Sequence, residues 1–327
     1  MTTLELIREL PIARINHCSK RNLKFKARFL LGTHLAPRQT RRWHAFLEAR
    51  PAMREMAQAH PHLTDKIYRP YLSHRLGCAE RVDALIGHYE FMYELGFENL
   101  AKHAAANPLT VAAFSGKSGG TYQIELSATN NSHREGELCL RLVSNGAYLY
   151  TITFIFLNKD GAYCVKIGCL QGMLADHGAH SIREATKDFH GARPKNLLIS
   201  IVCDLADYFD CSHVLLVSNK NRISINQHRR NRIKSNYDQT WEEIGAVKQA
   251  DGDYALTTTR LPTKSIEDTP SHKRSEAKKR NALTEAIFAS VRANFAQWKQ
   301  ADAQIIPFPA KTAPTETHTD FSASKSA

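Results

Sequence analysis

Residues 137–170 hold three extended runs separated by two-residue turns, and this pattern constrains the fold more than any other stretch of the chain. The run 137–143 is followed by Asn145-Gly146, a pair that tolerates the positive φ a tight hairpin needs at both central positions. The run 147–156 is almost entirely β-branched, aromatic or aliphatic, and Asp160-Gly161 then turns the chain into a third run from Tyr163. The spacing predicts antiparallel strands over 137–143, 147–156 and 163–171. After a long polar connection, Leu197, Leu198, Ile201, Val202, Leu205 and Phe209 recur at helical spacing and predict a helix over 196–209. His-Val-Leu-Leu-Val-Ser at 213–218 suits a central strand. Strand, strand, strand, helix, strand is an α/β order with a central mixed sheet.

The flanks divide the chain further. Residues 1–98 read as a helical N-terminal region that packs on the sheet. Leu4, Ile7, Leu10 and Ile15 suggest a first helix, Trp43, Phe46 and Leu47 another, and Val82, Leu85, Ile86, Tyr89 and Met92 share one face of a third. Residues 99–300 hold the α/β core and a C-terminal helix over 276–298. Within this core, Gly116, Gly119 and Gly120 read as a flexible loop, 122–126 as a strand and 244–257 as a hairpin. Residues 301–327 have few apolar anchors, so the expectation is a disordered tail.

Composition excludes several classes. No apolar run approaches the roughly 20 residues needed to span a bilayer, and residues 1–21 lack a signal-peptide core. Seven cysteines without a C-x-x-C pair fit free thiols in a reducing cytosol better than disulfides or zinc, so a cytoplasmic location is expected. The formal net charge of +12 is uneven: residues 1–50 carry eleven Lys or Arg against three acids, and 220–234 carry six and no acid. Arg229, Arg230, Arg232 and Lys234 form an anionic-partner patch on this reading, with solvated surface charge as the alternative.

Four segments carry chemistry. His190-Gly191-Ala192-Arg193-Pro194-Lys195-Asn196 opens the predicted helix, where Gly191, Arg193, Lys195 and Asn196 suit a phosphate-bearing donor. A capped helix start with solvated cations is the other reading. In Gly168-Cys169-Leu170-Gln171-Gly172 the glycines allow a bulge or close ligand approach, and the strand edge, with Gln171 and Gly172, suits an extended thioester arm. A twisted strand leaving the sheet explains it equally. Tyr237 is a candidate acid and Asp238 or Glu243 a candidate base, although Tyr237 and Trp241, four apart, also fit the buried face of a helix. His177 and His180 lie in a connection without H-E-x-x-H, so a surface helix is expected and no metal.

Together these residues resemble the VirK/YbjX family of bacterial proteins. The likeness rests on residues 167–172, on Ala185-Thr186-Lys187 through Lys195, on Val217-Ser218-Asn219, on Tyr237-Asp238 with Trp241, and on Lys273-Arg274 and Lys279-Arg280. It implies a link to virulence, envelope stress and antimicrobial-peptide tolerance, and it brings no established active site. The order of elements is also similar to the acetyltransferase (GNAT) superfamily, which implies a phosphate loop at 193–196 and a splayed cleft between the strands at 163–171 and 213–218. Some twenty residues separate Gln171 from the basic loop, and the superfamily's glycine-rich signature is replaced by Gly191-Ala192-Arg193-Pro194-Lys195.

Three functions follow as expectations. The first is an acyl- or aminoacyl-transferase for an envelope-related substrate, with an acyl-thioester donor such as coenzyme A or acyl carrier protein. The second is a non-catalytic regulator that binds nucleic acid weakly and non-specifically through the basic patches. The third is a protein peripheral to the inner membrane, where Phe29, Leu30 and Leu31 beside Lys24, Lys26 and Arg28 meet an anionic surface.

Overall fold

The computed structural model describes residues 20–128, 134–173, 175–223, 235–256, 259, 261 and 266–301. Helices come first: α1 Lys20–Leu35, α2 Pro37–Ala49 and α3 Pro51–Ala59. Pro37 and Pro51 sit in the first turn of the helices they open, where a missing N–H breaks no helical bond. A short helix α4, His62–Asp65, runs into a 3-10 turn at Lys66–Tyr68. Helix α5 spans Cys78–Glu94 and α6 spans Glu98–Ala106. The Glu80 carboxylate caps α5 by accepting the Gly77 N–H at 2.7 Å. Its expected face is indeed buried, with Val82, Leu85, Ile86, Tyr89 and Met92 all in the core. The helix expected around Leu4 to Ile15 and the tail beyond Ala301 lie outside the described residues.

Five strands follow as an antiparallel meander: β1 Leu109–Ser115, β2 Thr121–Ala128, β3 Leu138–Ser144, β4 Ala147–Lys159 and β5 Ala162–Gly172. The two expected hairpin turns take the backbone they require, with φ of 50° and 73° at Asn145 and Gly146 and 54° and 83° at Asp160 and Gly161. Two helices, α7 Ala175–Asp188 and α8 Pro194–Tyr208, then carry the chain to β6, Val214–Leu216, which lies parallel to β5. Helix α9, Tyr237–Glu243, leads into β7, Val247–Lys248, and β8, Tyr254–Leu256. Helix α10, Ser271–Ala301, closes the described chain. The result is one eight-stranded mixed sheet in the order β1-β2-β3-β4-β5-β6-β8-β7.

Strand β4 is buried continuously from Ile152 to Phe156, which requires cover on both faces of the sheet. Helices α5 and α8 both pack along it. His88 of α5 stacks on Phe156 with ring centroids 5.9 Å apart, and Phe91 lies 4.5 Å from the same ring. Helix α10 is tied to α8 by a two-pronged contact from Arg292 to Asp204.

Two expectations are corrected here. The glycine loop after β1 is not a flexible loop, because Asp188 binds it. Asp188 Oδ1 accepts the Ser118 N–H at 3.0 Å, and Oδ2 accepts the hydroxyls of Ser118 and Tyr122, each at 2.8 Å. A Cβ on Gly116 would stand 2.6 Å from that carboxylate, so the glycine is there for close approach. Lys187, the next residue back on α7, pairs instead with Glu184 at 2.9 Å. Phe29, expected to face a membrane with Leu30 and Leu31, is fully buried against His44 and Tyr68, both rings 5.7 Å away.

A buried ion pair joins the helical region to the sheet. Glu137 Oε1 accepts from Lys66 Nζ and from the Tyr71 hydroxyl, both at 2.5 Å, and Oε2 accepts from the Tyr89 hydroxyl at 2.6 Å. Burial by itself would raise the Glu137 carboxyl, but the Lys66 ammonium and these hydrogen bonds hold it below the usual carboxylate value.

Candidate functional site

The site is built where β5 and β6 part. The two strands pair in parallel only from Val165 and Val214 to Ile167 and Leu216, with a last bond from the Val217 N–H to the Ile167 carbonyl at 3.0 Å. Strand β5 continues to Gly172 along β4, while β6 stops. The β4–β5 register shifts at Thr153/Phe154, so that Gly168 is an extra residue on β5, a bulge that bends the strand. The glycine is required there: a Cβ on Gly168 would lie 1.9 Å from the Glu135 carbonyl oxygen, where the chain entering β3 crosses β5.

Helix α9 fills the resulting wedge with its two aromatic residues. The Tyr237 hydroxyl accepts the Leu170 N–H at 2.9 Å and donates to the Leu170 carbonyl at 3.0 Å. Trp241 Nε1 donates to the Val217 carbonyl at 2.8 Å. One side chain thus holds β5 and the other β6, with ring centroids 5.6 Å apart. Both are in the core, at 5% and 0% exposure. Burial, with the nearby Cys169 and Glu135, pushes the Tyr237 phenol well above its ordinary value, so it stays a proton donor across physiological pH.

Further polar groups gather at the same place. Cys169 Sγ lies 3.7 Å from the Tyr237 hydroxyl, and its thiol is pushed well up, chiefly by burial. The Glu135 carboxyl bonds to that thiol and is itself raised by burial. Arg222 is 6% exposed, and its guanidinium stands 4.8 Å from the centre of the Tyr237 ring; its Nε has no partner among the described residues. Asn219 pins the start of α9: its Oδ1 accepts the Tyr237 N–H at 3.0 Å, and its own N–H donates to Asp238 Oδ1 at 2.7 Å. Beneath this loop, Lys166 Nζ meets Asp253 Oδ2 at 2.7 Å, and Asp253 Oδ1 accepts from the Ser218 N–H and Asn221 Nδ2, each at 2.9 Å.

The basic helix start meets the other end of α9. Lys195 Nζ reaches Glu243 Oε2 at 3.1 Å and Arg193 Nη1 lies 3.7 Å from the same oxygen. Glu243 is held below the usual carboxylate value by the Lys195 hydrogen bond and charge. Arg193 is the N-cap of α8 and Pro194 its first residue; the Asn196 and Leu197 N–H groups both turn back to the Arg193 carbonyl. Gly191 is exposed with φ of 83°, and the Asn196 Oδ1 is buried without a partner among the described residues.

So α9 connects four of the expected residues: Tyr237 and Asp238 at its start, and Arg193 and Lys195 through Glu243. Gln171 is exposed on β5 opposite Thr151, and Gly172 lies beside the Tyr150 ring. Arg229, Arg230, Arg232 and Lys234 lie outside the described residues, as does the His177 side chain. No group of three or more metal-ligating side chains occurs among the described residues. Sequence reading missed Glu135, Arg222 and the Lys166–Asp253 pair. A lysine in the apolar run of β5 was the one available signal, since a charge there needs a buried partner.

Comparison with known proteins places the chain in a family. A family model described as a protein of unknown function (DUF535) matches residues 18–293. The chain is similar to an uncharacterized protein, YbjX, of Escherichia coli strain K12, with 29% identity over 268 residues, 80% of this chain and 81% of that protein. It is also 28% identical over 173 residues to an uncharacterized protein of Haemophilus influenzae, across 50% of this chain and 55% of that one. No solved structure matches the fold. With most of its length matched by that model, the chain belongs to the DUF535 family, the VirK/YbjX family that its central motifs resemble.

Proposed function

We propose that the protein is an acyl- or aminoacyl-transferase that takes its donor in the wedge between β5 and β6. One observation carries the reading. Beyond Ile167 the β5 edge keeps a main-chain N–H and C=O at Leu170 whose bonds run to a single side-chain hydroxyl, that of Tyr237. An extended thioester arm has amides of its own and takes the same two bonds by lying beside β5 as an added strand. The connectivity supports this: a meander, a helix α8 opened by the basic residues, and a strand β6 that pairs in parallel with β5 and then parts from it follow the order of elements that the acetyltransferase likeness implies.

In this scheme Arg193 and Lys195 leave Glu243 for the donor's phosphates, as a coenzyme A or acyl-carrier-protein arm requires. As the acceptor's nucleophile adds to the thioester carbonyl and the C–S bond breaks, Tyr237, released from Leu170, gives its proton to the leaving thiolate, and the proton that the acceptor loses restores the phenol. Asp238 holds the helix start by its bond to Asn219. The family resemblance points to an envelope component as acceptor. The nucleic-acid alternative has no observation in its favour among the described residues.

Titration calorimetry of the full chain with acetyl-coenzyme A, and separately with an acylated acyl carrier protein, tests the reading. Saturable binding of either, with the Tyr237 absorbance perturbed, is the expected result. No heat with either donor sinks it.

A further inference from the structure

The end of α1 and the start of α2 form a face with two unusual properties together. Leu30, Leu31 and Leu35 are 48%, 60% and 71% exposed, half of the large apolar side chains left this open among the described residues. They are not a core strip facing the wrong way. The opposite side of the same helix, at Phe29 and Thr33, is buried, and Phe29 packs on His44 and Tyr68.

The second property is charge. Residues 20–42 carry eight Lys or Arg and no Asp or Glu. Arg28 and Arg42 are answered by Asp65 and Asp83 from elsewhere in the chain. Arg38 and Arg41 are exposed on α2, three and six residues beyond Leu35, and meet no acid among the described residues. Exposed apolar side chains in a group mark an interaction surface. Leucines set among unanswered arginines match one environment in particular: an apolar layer a few ångströms below a plane of negative charge. A nucleic acid would satisfy the arginines and leave the leucines in water. No helix among the described residues is long and apolar enough to cross a membrane, so the segment would lie in the surface rather than span it.

We propose that this α1–α2 face docks the protein on an anionic bilayer, with Leu30, Leu31 and Leu35 inserted among the acyl chains and Arg38 and Arg41 at the lipid phosphates. The proposal is independent of the transferase reading, because the face shares no residue with the β5–β6 wedge.

The test is co-sedimentation of the full chain with vesicles of phosphatidylethanolamine and phosphatidylglycerol, against vesicles of phosphatidylcholine. The chain should partition at least about tenfold more strongly onto the anionic vesicles and lose that preference as salt rises. Leu30→Ser with Leu31→Ser and Leu35→Ser should lower partition at least about tenfold. Arg38→Glu with Arg41→Glu should abolish the preference for anionic lipid. Failure of the wild type to sediment with anionic vesicles overturns the proposal, as does equal binding by the leucine variant. It is also overturned if, without lipid, the leucine variant loses a dimer that the wild type forms or melts at a lower temperature. The leucines would then be covered by a second copy or by the chain's own residues 1–19.

Discussion

The Lys66 ammonium meets the Glu137 carboxylate at 2.5 Å with both side chains buried, across 71 residues of sequence. The pair ties the turn after α4 to the residue preceding β3. Removing one partner leaves a buried charge unanswered, which costs about 3–5 kcal/mol. Lys66→Met and Glu137→Gln should each lower the urea unfolding free energy by that order. The double variant should cost less than the sum of the two. An additive double variant would show that the ion pair does not couple these elements.

Two buried histidines set an acid limit on stability. Burial lowers the pKa of His44 and His88 to about 4 each, from 6.5. Between those values the unfolded chain binds protons that the folded chain does not, so stability is full above 6.5 and falls as pH drops towards 4. The loss by pH 4.5 should be about 2–3 kcal/mol per histidine. His88 Nδ1 accepts the Phe156 N–H at 3.3 Å, and His88→Asn offers an acceptor in its place. Denaturant melts from pH 7 to 4.5 should show a shallower loss in His88→Asn; an unchanged slope would refute the assignment.

The bulge glycine offers a sharper packing test. A methyl group at Gly168 would strike the Glu135 carbonyl, which is backbone and cannot swing aside. Gly168→Ala should destabilise the fold by about 3 kcal/mol, whereas Gly119→Ala, with open space around its Cβ, should be limited to the strain of its positive φ. Thermal melts of the two variants compare them directly.

Tyr237→Phe keeps the ring in the wedge and removes the hydroxyl. Two Leu170 backbone groups then lose their partner, at a cost of about 1–3 kcal/mol. Amide exchange at Leu170 should rise well above that of its neighbour Ile152. Unaltered protection would mean that the phenol does not close the strand edge.

For the donor, Arg193→Ala combined with Lys195→Ala should weaken binding by about tenfold to several hundredfold without lowering the melting temperature. Both side chains meet only Glu243 and Thr240 among the described residues, at the rim of the fold. Calorimetry gives the affinity and a melt gives the control. Equal affinity in the double variant would remove the phosphate-site assignment.

The meander was legible because each hairpin is specified within a few residues: Asn145-Gly146 and Asp160-Gly161 dictate the turn, and the runs between them the strands. Helix α8 was legible from the spacing of Leu197, Leu198, Ile201 and Val202. Strand β1 was not, since an apolar segment of seven residues at 109–115 is too short for periodicity to distinguish strand from helix. The wedge was half legible. Tyr237 and Trp241, four apart, announced a buried helical face, but that face touches two strands whose parting no local pattern encodes. Lys166 finds Asp253 across 87 residues, and only the insertion of β8 beside β6 brings them together.

The outer strands show how this sheet avoids joining another. An open edge presents unpaired N–H and C=O groups to any passing chain. At one end β7 is only two residues long and offers little to copy. At the other, β1 changes register between Thr110 and Ala112, and the Val111 carbonyl freed there is taken by Asn294 Nδ2 of α10 at 3.0 Å. The last helix therefore acts as a guard against aggregation: a chain cut before α10 would present β1 bare, together with the core that Ile287, Val291 and Phe295 cover, and its failure would be polymerisation through that strand.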